Sequence, residues 1–182
     1  SSDLIKKDYN LIVRGLSSSM ELNSENDGMS LDDILTILKS SLDASLPKGK
    51  RLFFNIQLEE NLYTQNHYLL LSIFRNLFNN AIEAADGNPV ELSVRQSSTD
   101  SSYVIEVEDH GPGIDPEDME QIFEPGFSTK INYETGEVNR GLGLSLVKDF
   151  IELRLGGTIR VTSVPGKTVF TLTIPKEKWS GL

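Results

Sequence analysis

The chain has 182 residues, of which 38% are hydrophobic, enough for one packed core. Its formal net charge of −10 argues against nucleic acid as the main partner, because binding a phosphate backbone requires a basic face. The absence of cysteine excludes a disulfide framework and a thiolate zinc site and fits a reducing, cytoplasmic compartment, and no apolar run approaches the ~20 residues of a membrane span.

The first 28 residues form a segment of their own. Residues 3–22 predict a helix, because Leu4, Leu11, Leu16 and Met20 fall roughly at helical spacing, and residues 24–28 are a polar break. The simplest interpretation is a short N-terminal helix that packs on the domain beyond the break.

Helices and strands follow in the first half of that domain. Ser30 is a suitable N-cap for a helix that ends near Leu46, and residues 51–58 alternate as a strand. Asn66 can cap a long helix that reaches Ala85.

The second half predicts two hairpins and two more helices. Strands are predicted at residues 90–96, 103–108, 158–163 and 168–174, and helices at residues 116–123 and 143–155. This irregular alternation predicts an α/β fold with a mixed sheet rather than a doubly wound parallel sheet.

Four short pieces, each weak alone, stand in an informative order and spacing. They are residues 76–81 (NLFNNA) in the long helix, 109–114 (DHGPGI) at a strand end, 122–130 (IFEPGFSTK), and 140–144 (RGLGL) at a helix start.

Three of these pieces suit the parts of a nucleotide–metal complex. The carboxylate of Asp109 at a strand end can accept from the exocyclic amine of a flat heterocycle, and Gly111 and Gly113 let the backbone approach closely. The glycine-rich turn at residues 140–144 points N–H groups and a positive dipole end at an anion. An Asn on a facing helix, for which Asn80 is the candidate, offers a hard oxygen to Mg²⁺.

An Asn on a helix is more often an ordinary solvated residue. Asn76 and Asn80, however, lie four residues apart on one helix face among apolar neighbours. An unpaired amide is costly in such surroundings, so both side chains are expected to have partners.

In this order the four pieces resemble the N, G1, F and G2 boxes of the GHKL ATP-binding superfamily, most closely those of the catalytic domain of bacterial sensor histidine kinases. The resemblance covers roughly residues 30–175. It implies the Bergerat ATP-binding fold, a two-layer sandwich of a mixed sheet and helices that holds ATP and Mg²⁺ under a mobile lid. It further implies that residues 1–28 are the remnant of a dimerisation and phosphoacceptor helix, and that residues 29–182 are the catalytic ATP-binding domain.

The resemblance also implies roles for particular residues. Asn76, Asn80 and Lys130 would be catalytic, with Asn80 as the metal ligand and Asn76 as its neighbour on the phosphate side. The implied nucleotide contacts are Asn76, Asn80, Asp109, Gly111, Gly113, Ile114, Phe123, Lys130, Arg140, Gly141, Leu142, Gly143, Leu144 and Thr168.

Two of the implied regions have particular features. Residues 126–140 are expected to form either the lid or an ordinary surface loop. Thr168 would lie on the adenine side, in a turn that lacks the extra glycine common in the family.

The implied activity is transfer of the γ-phosphoryl group of ATP to a histidine on a hairpin that this chain does not contain. A response regulator would be the downstream partner, and the full-length protein would be a homodimer. Two alternatives remain: an ATPase like the Hsp90, MutL or gyrase families, and an anti-sigma-type serine kinase. Those ATPases carry a Glu four residues before the metal-binding Asn, where this chain has Asn76, a poor base for water.

The chain offers no convincing acceptor of its own. Neither of its two histidines, His67 and His110, resembles a phosphoacceptor. Residues 7–10 (KDYN) could be an acceptor sequence with Lys in place of His, but too little chain follows for a complete hairpin. The N-terminal helix favours the sensor kinase over the anti-sigma type.

Overall fold

The computed structural model describes residues 28–127, 129–131, 138–140 and 143–180. The helix predicted over residues 3–22 and nearly all of the proposed 1–28 segment therefore lie outside the described residues.

The described chain contains nine strands and four α-helices. The strands are β1 (Met29–Ser30), β2 (Leu52–Leu58), β3 (Tyr63–Thr64), β4 (Val90–Ser98), β5 (Ser102–Asp109), β6 (Thr129–Ile131), β7 (Val138–Arg140), β8 (Thr158–Val164) and β9 (Lys167–Pro175). The helices are α1 (Leu31–Ser45), α2 (His67–Ala84), α3 (Gly143–Asp149), which continues as a π-helical turn (Phe150–Arg154), and α4 (Lys176–Ser180).

Five strands form the main sheet in the order β2-β4-β5-β9-β8. The β2–β4 pair is parallel and the other three pairs are antiparallel. A parallel pair needs a crossover connection, and α2 lies in the segment that joins β2 to β4. The prediction of an α/β fold with a mixed sheet is thus confirmed.

Local capping fixes where the first two helices begin. The Ser30 hydroxyl accepts from the backbone N–H of Asp33 at 3.1 Å, and the Asn66 side chain accepts from Leu69 N at 3.3 Å. Each cap satisfies an N–H that has no partner within its own helix. Both predicted helix starts are confirmed.

One hydrophobic core joins the helices to the sheet. Phe74 and Phe78 of α2 are fully buried, as are Leu92 on β4 and Ile105 on β5. Buried residues alternate with exposed or partly buried ones over residues 90–97 of β4, so only one face of that strand is fully packed. The result is a two-layer arrangement with the helices on one face of the sheet.

The prediction of a helix at Pro116–Phe123 was wrong. The segment is a series of turns, in which Asp118, Gln121 and Glu124 each donate a backbone N–H to the carbonyl three residues earlier. The Asp115 carboxylate also accepts from Glu117 N at 3.3 Å. Side-chain acceptors of this kind compete with helix formation, and the segment has too few apolar residues to form a buried stripe.

The structure adds details that periodicity did not predict. The predicted helix over residues 143–155 ends in the π-helical turn, where Leu155 N bonds to Phe150 O at 3.1 Å. The polar stretch 126–140 contains an antiparallel ribbon of β6 and β7. None of the helices in the described part of the chain is both long and apolar enough to cross a lipid bilayer.

Candidate nucleotide site

The turn that follows β5 is built around a buried carboxylate. Asp109 is only 9% exposed, and its Oδ1 accepts from Gly111 N at 3.0 Å. Burial raises the pKa of Asp109 above its usual value, and the Gly111 hydrogen bond and the nearby His110 offset part of that shift. A buried carboxylate with spare acceptor capacity is suited to binding a donor group.

The turn is anchored on the β8–β9 hairpin. Ile114 N donates to the hydroxyl of Ser163 at 2.8 Å, and Gly166 N donates to Gly111 O at 2.9 Å. Gly113 has a φ of 90°, and a Cβ there would lie 2.7 Å from Val164 O. Glycine is therefore required at position 113 for both conformation and space.

Thr168 lies beside Asp109. The two residues are directly paired in the β5–β9 register, and Thr168 is 4% exposed. Its Oγ1 is 2.7 Å from Ser163 Oγ. The turn without the extra glycine therefore still places this threonine next to Asp109.

Ser163 was not predicted from the sequence to be part of this candidate site. Its hydroxyl contacts both the Ile114 N–H and Thr168, so it connects the turn at residues 109–114, called the nucleotide turn below, to the β8–β9 hairpin. Strand alternation could have placed Ser163 on the same face as Val161 and Ile159, but its partners depend on the β8–β9 register.

The two asparagines of α2 have different environments. Asn76 donates its Nδ2 to Ser72 O at 2.8 Å, and a Cβ at Gly143 would lie 3.1 Å from Asn76 Oδ1. Asn80 is half-buried and has no hydrogen-bond partner among the described residues. The Ser72 bond engages only the Nδ2 of Asn76, so the two environments do not by themselves distinguish which asparagine would supply an oxygen to a metal.

Phe123 is fixed at the base of the polar stretch. Its ring makes an edge contact with Phe170 at 6.3 Å between centroids, and Lys148 Nζ lies 5.6 Å from its centroid. Ile114 and Leu144 pack, partly buried, against the same core. Lys148, on α3, was not singled out from the sequence.

The remaining predicted contacts lie around the ribbon. Lys130 pairs with Asn139 and Arg140 pairs with Thr129 in the β6–β7 register. Gly141 and Leu142 lie outside the described residues. Gly143 is the first residue of α3, so the predicted glycine-rich helix start is confirmed at that position.

A cavity of about 110 Å³ opens beside the turn. Asp109 and Gly111 line it together with Ala81 of α2 and Ala85, which follows that helix. Within the described ranges, no group of three or more His, Asp or Glu side chains could hold a metal ion. Asn80, the predicted metal ligand, is not among the residues that line this cavity.

A charged cluster lies next to the turn. His110 Nδ1 is 2.8 Å from Glu91 Oε2, and His110 Nε2 is 2.8 Å from Glu108 Oε2. Arg95 Nη2 lies 3.2 Å from Glu108 Oε1, and Lys167 Nζ lies 3.7 Å from the same oxygen. The hydrogen bond to Glu108, followed by the bond to Glu91, raises the pKa of His110.

These features together define a nucleotide-binding class of fold, and the chain belongs to the histidine kinase-, DNA gyrase B- and HSP90-like ATPase family, whose model matches residues 66–178. It is 32% identical over 173 residues to the sensor histidine kinase GlnK of Bacillus subtilis, covering 94% of this chain and 42% of that protein. It is 35% identical over 151 residues to the sensor histidine kinase DcuS of Escherichia coli, covering 81% of this chain and 26% of that protein.

Solved structures agree with the fold. The catalytic domain of the histidine kinase ThkA, in a nucleotide-free form, superposes with a TM-score of 0.67 at 26% identity, covering 85% of this chain and 99% of that one. The chain spans less than half the length of the curated relatives just named. The predicted membership of the GHKL superfamily, with a sensor histidine kinase catalytic domain as its nearest type, is confirmed.

Proposed function

We propose that this domain binds Mg²⁺–ATP and transfers the γ-phosphoryl group to a histidine on a dimerisation hairpin outside this chain. A response regulator aspartate would receive the group next, and the full-length protein would act as a homodimer. The observation that carries the proposal is the meeting of Asp109, the Gly111–Gly113 turn and Thr168 in a chain of this family.

Asp109 supports recognition of adenine. Its carboxylate lies at the end of β5, is nearly buried, and uses one oxygen for Gly111 N. The second oxygen can accept from an exocyclic amine, and Thr168 offers a hydroxyl directly beside it. An amine donor, as in adenine, suits this pair better than a carbonyl would, because the carboxylate cannot donate when ionised.

Asn80 supports the metal assignment. It lies one turn after Asn76 on α2. The side-chain amide of Asn76 lies against Gly143, at the start of α3. Phosphates bound at that helix start would therefore lie near Asn80. Bound Mg²⁺ would neutralise charge that develops on the transferred phosphoryl group.

Asn76 favours transfer over rapid hydrolysis. It stands four residues before Asn80, and its amide group binds Ser72 O and contacts Gly143. An amide in this position cannot take a proton from water as a carboxylate can. The domain therefore holds ATP for an acceptor that must be brought to it.

Neither histidine of the chain is placed as that acceptor. Both ring nitrogens of His110 contact carboxylates, and His67 Nε2 is buried at the start of α2. A phosphoacceptor must present a neutral nitrogen in line with the γ-phosphate.

The test is incubation with γ-labelled ATP, alone and with a histidine-bearing hairpin of the full-length protein added in trans. We expect no acid-labile label on the domain alone and acid-labile label on the added hairpin. The Asp109→Asn variant, carried through both arms, should label the hairpin much more weakly at limiting ATP and should not label itself. Acid-stable label on a hydroxyl would indicate a serine kinase, and phosphate release at ~1 s⁻¹ or faster would indicate an ATPase.

A further inference from the structure

The nucleotide turn is clamped from the side opposite to Asp109. Successive residues of a strand point to opposite faces, so Glu108 and Asp109 project to different sides of the sheet. Asp109 faces the buried side, whereas His110 contacts Glu108 on the outer side. His110 is thus the residue that connects the turn to the outer face.

The geometry of this clamp requires a charged ring. His110 places Nδ1 and Nε2 each 2.8 Å from a carboxylate oxygen, of Glu91 on β4 and Glu108 on β5. A neutral imidazole has one N–H and one lone pair, so it could satisfy only one of these contacts. The other contact would set a lone pair against a carboxylate oxygen and would have to open.

We propose that His110, as an imidazolium held between Glu91 and Glu108, is a positioning residue that fixes the Asp109–Gly111 turn for nucleotide binding. This inference rests on the proposed function, because the turn is the proposed adenine site. His110 would not contact the nucleotide itself, and it acts through its neighbours Asp109 and Gly111.

Other charges near the ring enter the same equilibrium. Glu108 also meets Arg95 and Lys167, and Glu106 lies 3.4 Å from the Arg95 side chain. Asp86 shares the small cavity with His110, and Lys39 of α1 shares an open groove on its other side. The two carboxylates in direct contact outweigh these, and they raise the pKa of His110.

The sign of the pH effect follows from that direction. His110 is fully protonated well below its raised pKa and loses the second ring proton as the pH rises through that pKa. Nucleotide affinity should therefore fall as the pH is raised from neutral through the pKa of His110. By linkage, bound ADP should raise the pKa of His110 further.

The first measurement reads the ring directly. The chain has only two histidines, so nitrogen NMR of the imidazoles gives two sets of signals, and His67→Gln assigns them. We expect His110 to carry protons on both nitrogens at pH 7 and to titrate above its usual range. A neutral His110 at pH 7 would overturn the inference without any nucleotide being present.

The second measurement is the affinity for ADP by calorimetry across the same pH range. We expect the unmodified chain to weaken about fivefold or more, and His110→Gln to bind weakly with no comparable pH dependence. Glu91→Gln keeps the ring but removes one carboxylate, so its affinity should fall at a lower pH than that of the unmodified chain. This second variant tests the clamp even where His110→Gln folds poorly.

The outcomes separate the two proposals. Parallel pH profiles for the unmodified chain and His110→Gln would overturn the role of His110 and leave ATP binding intact. Absence of ADP binding by the unmodified chain at every pH would overturn the proposed function and this inference with it. The difference between chain and variant removes the ionisation of ADP itself from the comparison.

Discussion

Gly143 lies so close to Asn76 that a β-carbon at position 143 would be 3.1 Å from Asn76 Oδ1. The amide cannot swing away freely, because its Nδ2 donates to Ser72 O at 2.8 Å. Two of the four informative pieces of sequence therefore meet at a single contact, between the helix of the asparagines and the start of α3.

Replacing Gly143 by Ala should destabilise the domain by about 1 kcal/mol, because the added methyl group overpacks against a fixed side chain. In an Asn76→Ala background the same replacement should stabilise by about 0.5 kcal/mol, since alanine restricts the unfolded chain more than glycine does. The measurement is the free energy of unfolding, by denaturant titration, of the unmodified chain, the two single variants and the double variant. The same sign in both backgrounds would mean that the contact has no energetic importance.

Asp109→Asn should lower ATP affinity about ten- to hundredfold, because a charged acceptor is lost. The folded domain should be no less stable, and is expected to be more so at pH 7. The folded pKa of Asp109 is raised, so stability falls as the pH rises from the unfolded to the folded pKa, and the full cost is present above the folded pKa. Asparagine removes that cost and can still accept from Gly111 N.

Calorimetric titration and thermal unfolding of the same preparation test this pair of effects. Unchanged affinity in a folded Asp109→Asn protein would remove Asp109 from the adenine site. A large loss of stability would mean that the carboxylate has a structural role.

Ser163→Ala should cost about 1 kcal/mol, because the Ile114 N–H loses its acceptor. It should also weaken ATP binding, since Thr168 loses its hydroxyl partner. The matched control is Thr162→Ala, the neighbouring exposed residue on the opposite face of β8, which should change stability by less than about 0.5 kcal/mol. Equal effects of the two replacements would contradict the role assigned to Ser163.

Asn80→Ala should weaken ATP binding in the presence of Mg²⁺ more than in its absence, because a hard oxygen ligand is lost. Asn79→Ala, one residue earlier and exposed, is the control and should change neither. Affinities measured with Mg²⁺ and with a chelator separate the two contributions. An equal loss under both conditions would show that Asn80 acts on the fold rather than on the metal.

Local features of the fold could be predicted from the sequence because they depend on near neighbours. Ser30 and Asn66 cap the helices that they were predicted to cap, and the ends of α1 and α2 fall within one residue of expectation. The Pro116 segment was mispredicted because local side-chain acceptors outweighed weak periodicity. The β1 and β3 strands were missed because two residues are too short for any alternation to be visible.

The site divides in the same way. Asp109, Gly111 and Gly113 lie within five consecutive residues, so their turn could be predicted from its composition. Ser163 could not, because its role depends on the register between β8 and β9 and on contact with a turn 49 residues earlier. The clamp on His110 likewise needs Glu91, whose position follows only from the pairing of β4 with β5.

The place of β9 in the sheet has a consequence for biosynthesis. It is the last of the five strands of this sheet in chain order, yet it lies between β5 and β8 and pairs with both. Until residues 167–175 leave the ribosome, β5 presents an unpaired edge of eight residues, the kind of surface that joins other chains in aggregates. The sheet can therefore be completed only after residue 175 has been translated, and a version cut before residue 167 would keep that edge permanently open.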